Sequence, residues 1–121
     1  MQKIALQDAF ARIQDCWNPH VVGELNGQYV KLTKLDGAFV WHSHEHEDEL
    51  FLVVEGRLDI ELRDRTVTLD PGEFFIVPRG VEHKPVAHGL TQVLLFEPKE
   101  TVNTGDADDE RKIEPEALKR L

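Results

Sequence analysis

The sequence predicts a single all-β domain, an antiparallel sandwich or barrel, with a short N-terminal helix and a polar C-terminal tail. Its 121 residues are enough for one hydrophobic core. Its composition, 40% hydrophobic and 31% charged, is typical of a globular protein. Short apolar segments separated by Gly, Pro, Asn or Asp recur from Val21 to Glu97. This spacing is typical of many short antiparallel strands.

Residues 1–19 are predicted to form the N-terminal helical segment. Apolar residues at positions 4, 6, 9, 10 and 13 form a loose helical stripe between residues 3 and 16. Pro19 ends this segment, because the residue before a proline disfavours the α region.

Residues 20–97 are predicted to form the β domain. Asn26-Gly27 indicates a hairpin turn, since both residues accept a positive φ. Further turns are predicted at Asp36-Gly37, Glu55-Gly56, Asp64-Arg65 and Asp70-Pro71-Gly72. The strands between them are predicted at residues 28–35, 38–44, 50–54, 57–63, 66–69, 74–77 and 90–96.

Three of these strands are apolar on both faces: Leu50–Val54, Phe74–Val77 and Val93–Phe96. A strand of an isolated sandwich keeps one face in water, so these strands need a second cover. The N-terminal helix is a small cover for three strands. The pattern therefore favours a homodimer.

Residues 98–121 are predicted to be a polar tail. Residues 101–110 offer almost nothing to bury, which indicates a loop or a tail that lies over the surface. Glu114-Pro115-Glu116 then predicts a terminal helical turn, since proline suits its first position.

The charge balance excludes several classes of partner. With 14 Lys+Arg against 23 Asp+Glu the net charge is −9, so neither a nucleic acid nor an anionic membrane is expected as a partner. No apolar run approaches the roughly 20 residues that span a bilayer. Cys16 is the one cysteine, and it has no internal partner for a disulfide. A soluble cytoplasmic domain is expected.

The run of histidine and acidic residues from His42 to Glu49 carries the strongest chemical signal. Residues two apart on a strand point to the same side, so His42 and His44 aim two imidazoles at one point. Glu49 follows a predicted turn and could return a carboxylate to that point. Imidazoles with a carboxylate are the ligands of Fe, Zn, Mn or Ni centres. A solvated loop is the alternative for such a run.

A second stretch lies downstream, from Pro71 to His83. Gly72 precedes a strand, Pro78 and Gly80 force a turn, and His83 follows in an apolar neighbourhood. On these residues alone, His83 could also be a hydrogen-bonded structural histidine.

Together the two stretches resemble the motifs of the cupin family. The first motif is matched by Gly37, His42-x-His44, four residues, Glu49, six residues and Gly56, with the first gap one residue shorter than usual. The second motif, Gly, five residues, Pro-x-Gly, two residues and His, is matched by Gly72, Pro78, Gly80 and His83. Ala87 replaces the asparagine often found four residues after that histidine.

The resemblance implies a cupin barrel of the jelly-roll (double-stranded β-helix) type. It implies that His42, His44, Glu49 and His83 hold a divalent metal ion inside the barrel. Glu49 would be a permanent ligand or, if it swings away, a catalytic base. The polar tail Asn103-Thr-Gly-Asp106 is similar to that of small uncharacterised members.

The remaining histidines have weaker signals. His46 shares the strand parity of His42 and His44, and it could be a fifth ligand, a general base or, as we favour, a solvated residue. His20 and His88 match no motif and are expected to be exposed. Glu45, Glu47 and Asp48 are expected to form a solvated acidic rim that concentrates cations.

The site is expected to act on a small organic molecule. Phe51, Val53, Val81 and parts of Phe74–Val77 are predicted to form an apolar wall. Few polar groups besides the ligands are evident, and Arg79 and Lys84 could equally face solvent, which favours a hydrophobic or aromatic substrate. One hypothesis is a metal-dependent dioxygenase, isomerase or lyase, and another is a non-catalytic module that binds a small molecule or metal. A third is a structural barrel with a vestigial metal.

Overall fold

A computed structural model describes residues 1–121 and shows one β domain with little helix. The helix α1 spans Leu6–Ala11. The strands are β1 (His20–Leu25), β2 (Gln28–Ala38), β3 (Glu49–Glu55), β4 (Leu58–Leu62), β5 (Thr66–Leu69), β6 (Phe74–Val77), β7 (His83–Pro98) and β8 (Lys119–Arg120). The predicted all-β class is confirmed. No helix of the chain has both the length and the apolar content needed to cross a bilayer.

Strand β7 is the centre of the sheet and pairs antiparallel with three other strands. Its first part, His83–Ala87, pairs with β4, and residues 92–96 pair with β3. Strand β2 lies along the other edge of β7, from Pro98 back to Val86. The two halves of β7 are separated by Gly89, whose φ of +76° suits a bend. By changing neighbours at this bend, β7 closes the sheet around a core.

The inward residues of the strands form the main core, and they follow the two-residue period of the strands. Ten buried side chains make up this core: Leu35, Phe51, Val53, Leu58, Ile60, Leu69, Val77, Ala87, Val93 and Leu95. In β4 the predicted alternation holds, since Leu58 and Ile60 are fully buried and Asp59 and Glu61 are not.

Helix α1 is shorter than the predicted segment 3–16, and no side chain caps its N-terminus. Phe10 of the helix and Ile13, which follows the helix, pack on Leu32 on the outer face of β2. The helix therefore covers only part of the outer face. On the edge strand β6, Phe74 and Ile76 are 60% and 48% exposed.

Two turn predictions had different outcomes. Asn26 and Gly27 have φ of 50° and 78°, so the predicted hairpin turn is confirmed. Asp36-Gly37 is not a turn between strands. It is an irregularity within β2, where the register shifts between Leu35 and Gly37.

The predicted strand at residues 38–44 is wrong. Strand β2 ends at Ala38, and residues 39–48 form a loop with a single β-bridge between His42 and His83. The backbone N–H of Phe39 still donates to the carbonyl of Pro85, but beyond it only the His42–His83 bridge continues the pairing. Alternation of residue types alone could not distinguish this bridged loop from a strand.

The polar tail is partly built into the domain. Thr101 and Thr104 are almost completely buried. The predicted terminal turn is a 3₁₀ turn at Pro115–Ala117, and β8 then pairs parallel with β1. Residues 99–113 have no regular strand or helix, but they lie against the loop at residues 39–48.

Candidate metal centre

Four buried side chains from three parts of the fold meet inside the barrel. His42 and His44 come from the loop at residues 39–48, Glu49 begins β3, and His83 begins β7. One ligand atom of each lies within 4.8 Å of the others. We call these four residues the His/Glu cluster. They are the four that the sequence analysis singled out as ligands.

Backbone hydrogen bonds hold the parts of the His/Glu cluster together. The N–H of His42 donates to the carbonyl of His83 at 3.0 Å, and the N–H of His83 donates back at 2.9 Å. The N–H of Gly80 donates to the carbonyl of His44 at 2.8 Å. Gly80 has a φ of +79°, which glycine adopts without strain, so the Pro78–Gly80 turn can approach the loop.

Two of the imidazoles have a defined orientation. His42 Nδ1 lies 2.9 Å from the carbonyl oxygen of Val40, and His83 Nδ1 lies 3.0 Å from that of Val81. Because a carbonyl oxygen only accepts, we infer that Nδ1 of each ring carries the proton. Nε2 then presents a lone pair, as a metal-ligating histidine requires.

The His/Glu cluster contains buried polar atoms that no protein group satisfies. They are both ring nitrogens of His44, Glu49 Oε1 and His83 Nε2. Glu49 Oε1 lies 3.4 Å from Nε2 of His44 and also from Nε2 of His83. Buried polar atoms are normally paired, and one ligand atom of each of the four residues lies close to those of the others, which fits a bound cation. The residues present could therefore hold a metal ion.

The pKa values of the cluster reflect burial and mutual contacts. Burial, followed by the nearby His83, lowers the pKa of His42 to about 4. Burial also opposes the charged form of His44, but the nearby carboxylate of Glu49 outweighs it and raises the pKa of His44. For Glu49, burial is outweighed by the close contacts with Glu97, His44 and His83, so its pKa falls well below the usual value. Neutral His42 and ionised Glu49 are both suited to ligation at neutral pH.

A buried acid–base pair adjoins the cluster, and the sequence analysis missed it. Lys31 Nζ donates to Glu97 Oε1 at 2.8 Å, and both side chains are 1% exposed. Burial and the charge of Glu49 raise the pKa of Glu97 well above its usual value. The raised pKa favours the protonated form of Glu97 beside the carboxylate of Glu49. Strand parity could have indicated the burial of Lys31, since it lies on the same inward side of β2 as Thr33 and Leu35.

A cavity leads to His42 and Glu49, and its wall differs from the predicted one. Phe51 lines it as expected, but Val53 and Val77 lie in the core, and Val81 packs against that core. Phe74 and Ile76 point outward. The remaining apolar lining comes from Trp17, Pro19, Leu35, Phe39, Pro85 and Leu95. Polar lining comes from Thr33, Glu97 and Asn103, more than the sequence analysis anticipated.

The other histidines lie outside the cluster. The side chain of His46 is 78% exposed, and its nearest charged partner is the exposed Glu45. The prediction that His20 is exposed is wrong, because it pairs with Leu32 at the start of β1 and its Nδ1 lies 2.7 Å from the carbonyl of Asn18. His88 is exposed as predicted and contacts Asp59 at 2.7 Å.

The charged residues beside the motifs face solvent. Arg79 forms an exposed ion pair with Asp48. Glu45 and Glu47, with Asp106 from the tail, border an outer cleft that reaches His44.

Comparisons with known proteins agree with this architecture. Residues 29–97 match the family model described as "Cupin domain". A cupin-2 domain containing protein from Shewanella frigidimarina is 43% identical with a TM-score of 0.77, covering 78% of this chain and 93% of that one. Protein NMB1881 from Neisseria meningitidis is 30% identical with a TM-score of 0.74, covering 80% of this chain and 99% of that one. The uncharacterised protein YdbB of Bacillus subtilis (strain 168) is 34% identical over 80 residues, which cover 65% of this chain and 71% of YdbB.

Proposed function

Because this chain belongs to the cupin family, we propose that it binds one divalent metal ion through the His/Glu cluster and acts on a small organic molecule in the adjoining cavity. The observation that carries this proposal is the convergence of buried ligand atoms that have no hydrogen-bond partner. Three imidazoles and one carboxylate suit Fe, Zn, Mn or Ni. A bound divalent ion supplies a Lewis acid that polarises a substrate oxygen or lowers the pKa of a bound water.

The protein side chains then have separate tasks. His42 and His83 hold fixed tautomers through the carbonyls of Val40 and Val81. Glu49 serves as a ligand and as the catalytic carboxylate, since its own pKa is lowered while burial raises the pKa of the neighbouring Glu97 and favours the protonated form there. Phe39 and Trp17, stacked at 4.8 Å, form an apolar wall that limits access of bulk water.

Metal analysis of protein purified without a metal-affinity tag tests the ligand set. We expect about one divalent ion per chain, and a sharp loss of metal in His42→Ala and His83→Ala while the β circular dichroism signal remains. His46→Ala is the matched control, because His46 belongs to the same run but is exposed. Wild-type metal content in either ligand variant would show that the assignment of that residue is wrong.

The reaction class is tested by turnover. Oxygen uptake with Fe(II) would identify dioxygenase chemistry, whereas turnover with Zn or Mn that is indifferent to oxygen would identify an isomerase or lyase. In the alternative function, a non-catalytic module for a small molecule or metal, Glu49→Gln changes ligand affinity and no turnover exists to be lost.

We also propose that the outer face of β3, β6 and β7 pairs with the same face of a second copy. Two apolar rows cross this face in register: Ile76, Leu50 and Phe96, then Phe74, Leu52 and Leu94. Helix α1 packs on Leu94 but leaves Phe74 and Ile76 in solvent. An exposed apolar patch of this kind is self-complementary across a two-fold axis.

Light scattering tests this dimer. We expect the parent protein to be a dimer and Phe74→Glu to be a monomer. Leu90→Glu is the matched control, because Leu90 is also 60% exposed but lies at the bend of β7, away from this face. A monomeric parent at high concentration would exclude the dimer.

A further inference from the structure

The tail segment Asn103–Asp106 lies directly against the loop that carries two residues of the His/Glu cluster. The N–H of Ser43 donates to Asp106 Oδ1 at 2.8 Å, and the N–H of Asp106 donates to the carbonyl of Ser43 at 3.0 Å. The hydroxyl of Ser43 donates to Asp106 Oδ2 at 3.4 Å. One tail residue therefore satisfies both backbone polar groups of Ser43, the residue between His42 and His44.

This contact completes a set of restraints on a loop that has no strand ladder. His42 is paired with His83, and the carbonyl of His44 accepts from Gly80. Ser43 depends on Asp106. The orientation of a side chain follows its backbone, so the peptide groups on either side of Ser43 help to aim both imidazoles. Without the Asp106 carboxylate the N–H of Ser43 would turn to water, and the loop would lose its side-chain restraint between His42 and His44.

Gly105 allows the close approach that this contact needs. Its φ is +55°, in the region that glycine prefers. A Cβ at Gly105 would overlap the carbonyl oxygen of Ser43 and lie 3.1 Å from His42 Cδ2. A side chain does not fit there, so the segment and the loop can pack together only with glycine at this position.

We propose that Asp106, seated by Gly105, is a positioning residue for the metal ligands His42 and His44. This proposal rests on the proposed metal site. Asp106 is exposed and contacts only the loop backbone and the hydroxyl of Ser43, so its loss should disturb ligand orientation more than the core. Outer-shell partners of metal ligands typically contribute about 10–100-fold to metal affinity.

Titration of the metal-free protein with Zn²⁺, in competition with a chelator, tests the proposal. We expect Asp106→Ala to weaken Zn²⁺ binding by at least tenfold. Asp106→Asn should stay within threefold of the parent, because its amide oxygen can still accept from Ser43. Asp108→Ala is the matched control, since Asp108 is an exposed carboxylate two residues further along the tail. Binding by Asp106→Ala within twofold of the parent would overturn the positioning role.

Two further measurements separate positioning from simple stabilisation. The visible spectrum of the Co²⁺-loaded protein should change in Asp106→Ala, whereas a purely structural role would lower the melting temperature and leave both the spectrum and the Zn²⁺ affinity unchanged.

Gly105→Ala keeps Asp106 but removes the space it needs, so it should also weaken Zn²⁺ binding. Parent-like binding by Gly105→Ala would contradict the need for the close approach. If the parent itself fails to bind Zn²⁺ or Co²⁺, the proposed metal site fails first, and the positioning role falls with it.

Discussion

The barrel interior contains two adjacent groups of buried polar side chains that differ in how their charges are satisfied. In the pair Lys31–Glu97, Lys31 Nζ donates to Glu97 Oε1 at 2.8 Å, and Glu97 Oε2 is the one atom of the pair without a hydrogen-bond partner. In the His/Glu cluster, four nitrogen and oxygen atoms have no hydrogen-bond partner at all. Each such atom costs about 1–3 kcal/mol when it is buried and unpaired. The comparison indicates that the pair contains its own cationic side chain, Lys31, whereas the cluster contains no Lys or Arg and its ligand atoms fit a bound metal ion.

The largest effect is expected from removing the lysine of the buried pair. Lys31→Met leaves the carboxyls of Glu97 and Glu49 buried without their cation, and such a loss costs about 3–5 kcal/mol. Urea unfolding of the metal-free protein measures it. Lys34→Met is the matched control, because Lys34 lies on the same strand and donates only to the carbonyl of Ile13. Equal destabilisation by the two variants would mean that the buried charge of Lys31 adds nothing to the free energy of unfolding.

The next effect is the pH dependence that the cluster gives to the free energy of unfolding. His42 titrates near 6.5 when unfolded and at about 4 when folded. Between these values only the unfolded chain binds the proton, so the free energy of unfolding falls as the pH falls, by about 3 kcal/mol in total. The raised pKa of His44 acts in the opposite direction, with stability that is present at low pH and lost as the pH rises.

Comparing the parent with His42→Leu isolates the contribution of His42. Unfolding of both metal-free proteins is followed between pH 6.5 and 4. We expect the parent to lose about 3 kcal/mol more than the variant over this range. Parallel pH profiles would show that His42 is protonated as easily in the folded protein as in the unfolded chain.

Metal binding to the cluster should have a slightly smaller effect on stability. A metal ion at one hundred times its dissociation constant stabilises the folded state by about 2.7 kcal/mol. The melting temperature of the metal-free protein should therefore rise with Zn²⁺ concentration, and a chelator should reverse the rise. His83→Ala should show no such rise. A parent melting temperature that is independent of metal would indicate that the cluster is not a metal site.

The smallest effect is expected from Glu97→Gln. Its amide can still accept from Lys31 and donate to Glu49, so we expect a loss of about 1 kcal/mol in the free energy of unfolding. Zn²⁺ affinity should stay within threefold of the parent. A loss as large as that of Lys31→Met would show that Glu97 is ionised in the folded protein, contrary to its raised pKa.

The sequence predicted the parts of this molecule that depend on local spacing. Strand alternation located β4 and β5, and the motif spacing identified the four residues that meet in the cluster. The motif spacing was sufficient because its resemblance to the cupin motifs implied that the two stretches meet; the His42–His83 bridge that joins them is not visible in any local pattern.

Features that depend on contacts between distant segments were missed. Lys31 and Glu97 are 66 positions apart, and each alone is typical of a solvent-exposed residue. The burial of His20 likewise follows from its pairing with Leu32, which only the sheet creates. The tail was predicted to be polar, correctly, but its hydrogen bonds to Ser43 could not be inferred from composition.

The central position of β7 has a consequence for dynamics. Because β7 is bonded to β2 along one edge and to β3 and β4 along the other, its amides cannot open without disrupting both edges at once. Local fluctuations that release the outer strands β5 or β6 leave it intact. Amide protons near Val93 should therefore be the slowest to exchange with deuterated solvent, on the timescale of global unfolding.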